Sequence, residues 1–263
     1  MPLTDLQGEL FRLLASQRDP ESYVAGSSPL NRGMARYSGD MDIFHDREER
    51  VVSAYLQDCA LLEAHGFALE VLRREPACYV VLVRRGDEVT RLEWMVDSDF
   101  RFFPTERDAL FGYVLHPIDL ATNKVGAAIG RREPRDVVDL LTIHDRVLSL
   151  GAVVWAAAGK CLGFTPEGMI HEIRRLARYT EADFRRIASD PPLDPVQLMQ
   201  RLRLVLDEAE AFVLRMPTEK VGVLFLRDGV VVQPDPDRLS EYQMHTGQRR
   251  GHWPSTPELF SIL

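Results

Sequence analysis

Apolar and polar positions follow two different periods along this chain, and the change of period divides it. Over residues 4–17 the leucines Leu6, Leu10, Leu13 and Leu14 recur at helical spacing behind Thr4 or Asp5 as a cap, so a helix opens the chain. "SYVAG" then reads as a short strand entering a glycine turn, and "GDMDIF" alternates as a strand with one exposed face does. A long helix is expected from about Glu48 to His65. Three strand-like runs follow, "FALEVLR", "CYVVLVRR" and "TRLEWMV", the last two joined by the turn signal "GDE". From Pro117 the pattern turns helical and stays mostly so to about Met216, broken at "GRREP", "SLG", "LGFTPEG" and "SDPPLDP". "VGVLFLRDGVVVQP" reads as a hairpin turning at Asp228-Gly229, and the tail after it as irregular. The expected fold class is α+β: a mixed sheet flanked by helices over residues 1–115, then a mainly helical domain over 116–263 that ends in the hairpin and tail.

Composition narrows the function more by exclusion than by assertion. With 263 residues, 45% of them hydrophobic and 27% charged, the chain can bury a substantial core and resembles ordinary globular proteins. No run of about 18 apolar residues occurs, and "MPLTDLQGELFRLLASQ" mixes charge with apolarity where a signal peptide would be basic and then apolar. No membrane association is expected, and a cytoplasmic location is. Cys59, Cys78 and Cys161 lack any C-x-x-C spacing and read as reduced core thiols. A formal charge of -8 argues against nucleic-acid binding through the overall field and leaves that role to local basic clusters. Kinase-like and P-loop glycine motifs are absent.

The candidate chemistry begins at "GSSPLNRGMARYSGDMDIF", residues 26–44. On a strand, Asp40 and Asp42 project from one face while Met41 and Ile43 point to the core. Carboxylates about 7 Å apart or less repel by about 2 kcal/mol at an effective dielectric of 20. A hard divalent cation compensates such a pair, because magnesium combines one or two carboxylates with substrate phosphates and water. Screening on a solvated edge would remove the problem too, so the pair alone decides little. Upstream, Gly26 allows close backbone approach, and the Gly26-Ser27 turn can offer N–H groups and a hydroxyl to a phosphate.

Two further groups extend the pattern. In "TRLEWMVDSDF", Glu93 and Asp97 share one strand face, which periodicity cannot separate; Glu93 is preferred because it sits inside the strand between apolar residues. Its competing role is an exposed residue paired with Arg91 or a cross-strand arginine. In "HPIDLATNKVGAAIGRREPRDVVDLLTIHD", Lys124 lies on a helix whose apolar positions leave its ammonium free to reach outward. Asp136 and Asp139, three apart on the next helix, flank its buried stripe, and an acid in the first turn also suits the helix dipole. His45, His116, His144 and His171 each stand alone and read as structural. Arg131, Arg132, Arg135, Arg174, Arg175 and Arg178 form a candidate basic surface for RNA, or equally a set of solvated helix faces.

The stretch from Gly26 to Phe44, G-S, a twelve-residue spacer and D-x-D, resembles the signature of the polymerase-beta-like nucleotidyltransferase superfamily. The ending R-x-S-x-D-x-D-x-F, Arg36 to Phe44, resembles its AbiEii-type toxin branch, as does Lys124 followed after eleven residues by Asp136-x-x-Asp139. Together the motifs span roughly residues 20–145. The resemblance implies transfer of a nucleoside monophosphate from an NTP to an acceptor hydroxyl, with RNA, and tRNA first among RNAs, as the acceptor to expect. It implies two Mg²⁺ ions on Asp40, Asp42 and Glu93, with the triphosphate held by Gly26, Ser27, Arg36, Ser38, Lys124 and Asp139. Asp136 and Asp139 belong to the active site in such relatives, and an antitoxin is the implied protein partner. The alternative is a non-catalytic RNA- or protein-binding module that retains the fold.

Overall fold

The computed structural model describes residues 3–98 and 100–249. Two compact units divide the described chain, one running to His116 and the other over Pro117–Gln248. No helix among the described residues is long and apolar enough to cross a membrane.

The first unit opens with α1 (Asp5–Leu14), closed by a capping box in which Thr4 and Gln7 exchange side-chain and backbone hydrogen bonds. Its buried face is Leu6, Leu10, Phe11 and Leu14. β1 (Ser22–Val24), the single turn α2 (Ser27–Leu30), β2 (Asp40–His45) and α3 (Glu48–Ala64) follow. β3 (Ala68–Glu75), β4 (Cys78–Arg85) and β5 (Glu88–Val96) are the three expected strands. Three short strands come after them: β6 (Phe100–Arg101), β7 (Glu106–Asp108) and β8 (Gly112–Val114). These three have only two or three residues each, too few for any period to register. β7 and β8 nonetheless complete a seven-stranded mixed sheet of order β3-β4-β5-β2-β1-β8-β7.

Register in this sheet places the chemistry. β2 and β5 run parallel, with Asp40 opposite Arg91 and Asp42 opposite Glu93. The alternate residues Met41, Ile43, Leu92 and Trp94 are fully buried and join Leu6, Leu10, Val51 and Leu62 of α1 and α3 in one core. One face of the sheet is therefore anchored by burial, and the other carries Asp40, Asp42, Arg91 and Glu93. A one-residue slip would exchange the two sets, so the core enforces the orientation of the acidic residues.

Two polar groups lock this arrangement. Gln7 is buried, and its Nε2 donates to the Ser38 carbonyl at 3.0 Å and to Thr90 Oγ1 at 3.1 Å, tying α1 to the segment before β2 and to β5. Asp58 on α3 accepts from both Arg18, at 2.6 and 2.7 Å, and Trp94 Nε1 at 2.7 Å, all without solvent exposure at the carboxylate. Burial works against both charges, pushing the Asp58 carboxyl up and the Arg18 guanidinium down, while each favours ionisation of the other. The cysteines are free, as expected, and partly buried, with Cys59 packed against the core and its thiol pushed up to about 12 by burial.

The second unit is helical as expected, with α4 (Pro117–Gly130), α5 (Pro134–Arg146), α6 (Leu150–Ala157), α7 (Pro166–Leu176), α8 (Glu181–Phe184) and α9 (Pro195–Arg215), the break between α7 and α8 being one that the sequence pattern does not mark. Proline stands in the first turn of α5, α7 and α9, and Thr165 and Asp194 cap the latter two through their side chains. Every residue of α6 is buried, so the others surround it. β9 (Val223–Arg227) and β10 (Val230–Val232) form the hairpin, with Asp228 and Gly229 both at positive φ. The residues after it are less irregular than expected, because β11 (Gln243–Thr246) pairs antiparallel with β9. The remainder of the expected tail, residues 250–263, lies outside the described residues.

Removing one partner from the Arg18–Asp58–Trp94 cluster strands a charge without water. Asp58→Ala is expected to lower unfolding free energy by about 3–5 kcal/mol in urea denaturation. A loss below about 1 kcal/mol would show that the cluster contributes little.

Candidate active site

β1 ends at Val24, and the chain turns at Gly26 directly against β2. Ala25 N–H donates to the Asp42 carbonyl at 3.0 Å. Gly26 has φ +70°, and a Cβ there would fall 1.8 Å from Asp42 Oδ2 and 2.7 Å from its Cγ. The D-x-D carboxylate thus rests on the glycine backbone, an approach that no other residue permits.

The serines around this turn form a hydroxyl cluster. Ser27 Oγ lies 2.9 Å from Ser38 Oγ, Ser28 Oγ lies 3.0 Å from it, and Ser38 donates to the Asp40 carbonyl at 2.8 Å. Ser28 looks like part of the spacer in the sequence, yet it is fully buried and also reaches the Asp40 carbonyl at 3.2 Å. Only the folded turn reveals it. Asn31, another spacer residue, donates from Nδ2 to the Ser27 carbonyl at 3.0 Å. Arg36 is buried with its guanidinium donating to the Tyr37 carbonyl at 2.7 Å.

The register sets Glu93, and not Asp97, beside Asp42. Asp97 lies four residues further on, about 13 Å along the strand direction at a rise of roughly 3.3 Å per residue. It accepts from Tyr23 Oη at 2.6 Å and from Ser98 N–H at 2.7 Å, in a buried group with Arg101 and Asp46. Glu93 also holds its competing partner, with Arg91 Nε 2.7 Å from its Oε1. Among the described residues no group of three or more His, Cys, Asp and Glu is gathered closely enough to hold a metal. The donor set still fits Mg²⁺: hard carboxylate oxygens on one strand face, two from neighbouring positions, with the remaining coordination left to phosphate and water. It does not fit an ion held by protein ligands alone.

In the helical unit Lys124 departs from its expected position. Its ammonium is buried and 2.8 Å from Asp139 Oδ2, whose side chain has no solvent exposure. Asp136 instead accepts two hydrogen bonds from Arg131, at 2.8 and 2.9 Å. The two acids of D-x-x-D therefore hold different cations within this unit.

The candidate RNA-binding arginines are mostly neutralised locally. Arg131 pairs with Asp136, Arg132 lies near Asp183, and Arg135 lies near Glu133. Arg174 binds Asp207 and Glu210, and Arg175 binds Glu172. Of the histidines, His45 is buried and held down at about 3 by burial and by Arg18, so it is neutral. His116 stacks on Phe103 at 4.2 Å, and His144 accepts the Leu150 N–H at 3.3 Å.

No protein-family model matches the chain, and no curated protein matches it in sequence. Among solved structures, MenT4, a nucleotidyltransferase toxin from Mycobacterium tuberculosis, superposes over 82% of this chain and 84% of its own with a TM-score of 0.58 at 18% identity. The chain has a polymerase-beta-like nucleotidyltransferase fold. An H. pylori protein assigned as a nucleotidyltransferase matches over 80% of this chain and 96% of its own, with a TM-score of 0.47 at 13% identity. The RNA terminal uridylyl transferase Cid1 matches over 56% of this chain and 42% of its own, with a TM-score of 0.28 at 14% identity. Within the nucleotidyltransferase fold, the glycine turn and the paired aspartates are the two features that the register of β1 and β2 brings into contact here.

The Gly26 contact is testable by comparison with Gly33, which also has positive φ, +76°, but has nothing within 4 Å of a built Cβ. Gly33→Ala is expected to cost about 1 kcal/mol from backbone strain alone. Gly26→Ala adds displacement of Asp42 and is expected to cost about 2 kcal/mol more in thermal or urea unfolding. Equal losses in the two variants would mean that Gly26 is not a contact point.

Proposed function

We propose that the chain is a metal-dependent nucleotidyltransferase that transfers a nucleoside monophosphate from an NTP to an acceptor hydroxyl. The observation that carries this reading is the packing of the Gly26 backbone on Asp42, with Glu93 in register on the adjoining strand. Phosphoryl transfer needs positioned charge more than covalent chemistry, and this face offers anionic oxygens on a rigid sheet.

Asp40 and Asp42 would hold the cations. Bound Mg²⁺ would neutralise the triphosphate and lower the pKa of the acceptor hydroxyl. Glu93 would complete the acidic set and receive the acceptor's proton on its carboxylate. The Gly26-Ser27 backbone would approach the phosphates, with Ser38 and Arg36 shaping the turn. Lys124, Asp136 and Asp139 enter on separate grounds, the resemblance in spacing. By that resemblance Lys124 would bind phosphate oxygens and Asp136 and Asp139 would belong to the active site, while within their own unit Lys124 pairs with Asp139 and Arg131 with Asp136.

RNA is the acceptor to test first, and tRNA first among RNAs. The local pairing of the candidate arginines leaves recognition to shape and to a few contacts more than to a broad basic field. Because MenT4 is described as a nucleotidyltransferase toxin, arrest of growth on induction and relief by a cognate antitoxin belong to the same proposal.

Incubation with each labelled NTP, Mg²⁺ and total RNA or protein identifies donor and acceptor together. Label is expected in RNA, and Asp40→Ala and Asp42→Ala are each expected to lower transfer by about 1,000-fold with circular dichroism unchanged. Activity within about tenfold of wild type in Asp40→Ala would contradict the assignment. Lack of any Mg²⁺-dependent thermal shift with the four NTPs would favour the non-catalytic binding module instead.

A further inference from the structure

Arg91 occupies a place on the sheet that the proposed chemistry does not use. It shares the open face of β5 with Glu93 and stands opposite Asp40, as Glu93 stands opposite Asp42. An arginine thus stands on the strand face that carries three acidic positions. Its Nε lies 2.7 Å from Glu93 Oε1, with the arginine side chain 46% exposed and the glutamate 13% exposed. The carboxylate is the more sheltered partner of the pair.

Two physical consequences follow from that pairing. A carboxylate oxygen that accepts a guanidinium N–H has one lone pair committed to that bond and less charge to offer a divalent ion. A resident positive charge also repels an incoming one with two charges.

We infer that Arg91 is a positioning residue, a built-in counter-ion that competes with the divalent cation for Glu93. Without the cation, Arg91 balances the acidic face and holds Glu93 aside. With the cation and triphosphate bound, Glu93 would be available to ligate the ion, and the guanidinium of Arg91 would be a donor for phosphate oxygens on the same face. The acidic set is then completed only when substrate is present. This inference rests on reading Asp40 and Asp42 as the metal carboxylates.

The test is Mn²⁺ binding without nucleotide, followed by the electron paramagnetic resonance of the free ion, with circular dichroism to verify folding. Wild type is compared with Arg91→Gln, Glu93→Gln, the double variant and Asp42→Asn. Arg91→Gln is expected to bind Mn²⁺ about fivefold more tightly than wild type, the scale of a partly exposed ion pair, and the gain is expected to vanish in the Glu93→Gln background. Unchanged or weaker binding by Arg91→Gln overturns the inference, as does a gain that persists without Glu93 or a failure of every variant to bind. If Arg91→Gln shows no gain while Asp42→Asn abolishes binding, this inference falls alone. If Asp42→Asn binds as wild type does, the nucleotidyltransferase reading falls with it.

Discussion

Like charges on one face of a β-sheet can be held together only if the other face prevents the strands from moving. Here Met41 and Ile43 of β2 and Leu92 and Trp94 of β5 are fully buried between the sheet and its covering helices. Their burial fixes which way Asp40, Asp42 and Glu93 point, because any slip of register would bring carboxylates into the core and apolar side chains into water. Repulsion between the acids is therefore sustained by the core beneath them. Gly26 adds the second constraint, since its backbone touches the Asp42 carboxylate and restricts where that side chain can go.

Much of this was legible in the sequence because it rests on local pattern. The alternation of "GDMDIF" gives a strand with both aspartates on one face, and the proline and glycine punctuation after Pro117 marks the helices. The strands β6 to β8 escaped because two or three residues have no period, and the pairing of β8 beside β1 depends on the rest of the sheet. The choice between Glu93 and Asp97 could not be made by periodicity, since both lie on the same face. The β2–β5 register separates them, placing one beside Asp42 and the other in a buried group with Tyr23 and Arg101.

Lys124 shows a different limit. Helical spacing gives the direction in which a side chain leaves its own helix, but not what the next helix brings to meet it. Asp139 lies fifteen positions on, and α5 returns it to within 2.8 Å of the ammonium. The arginines of the helical unit repeat the lesson on its surface: in sequence they suggest a basic field, and in the fold most have an acidic neighbour. Residue type and spacing identified chemically capable groups, while tertiary pairing decides which of them have charge to offer a ligand.

In the proposed function Asp40 and Asp42 form a hard-cation site whose coordination a nucleoside triphosphate would complete. Crystals grown with Mn²⁺ and a non-hydrolysable NTP analogue test it most directly through the anomalous signal of the metal. The account predicts a peak within about 2.5 Å of carboxylate oxygens from both residues, shared with phosphate oxygens of the analogue. Manganese bound only elsewhere on the protein, with the analogue ordered and Asp40 and Asp42 untouched, would contradict it.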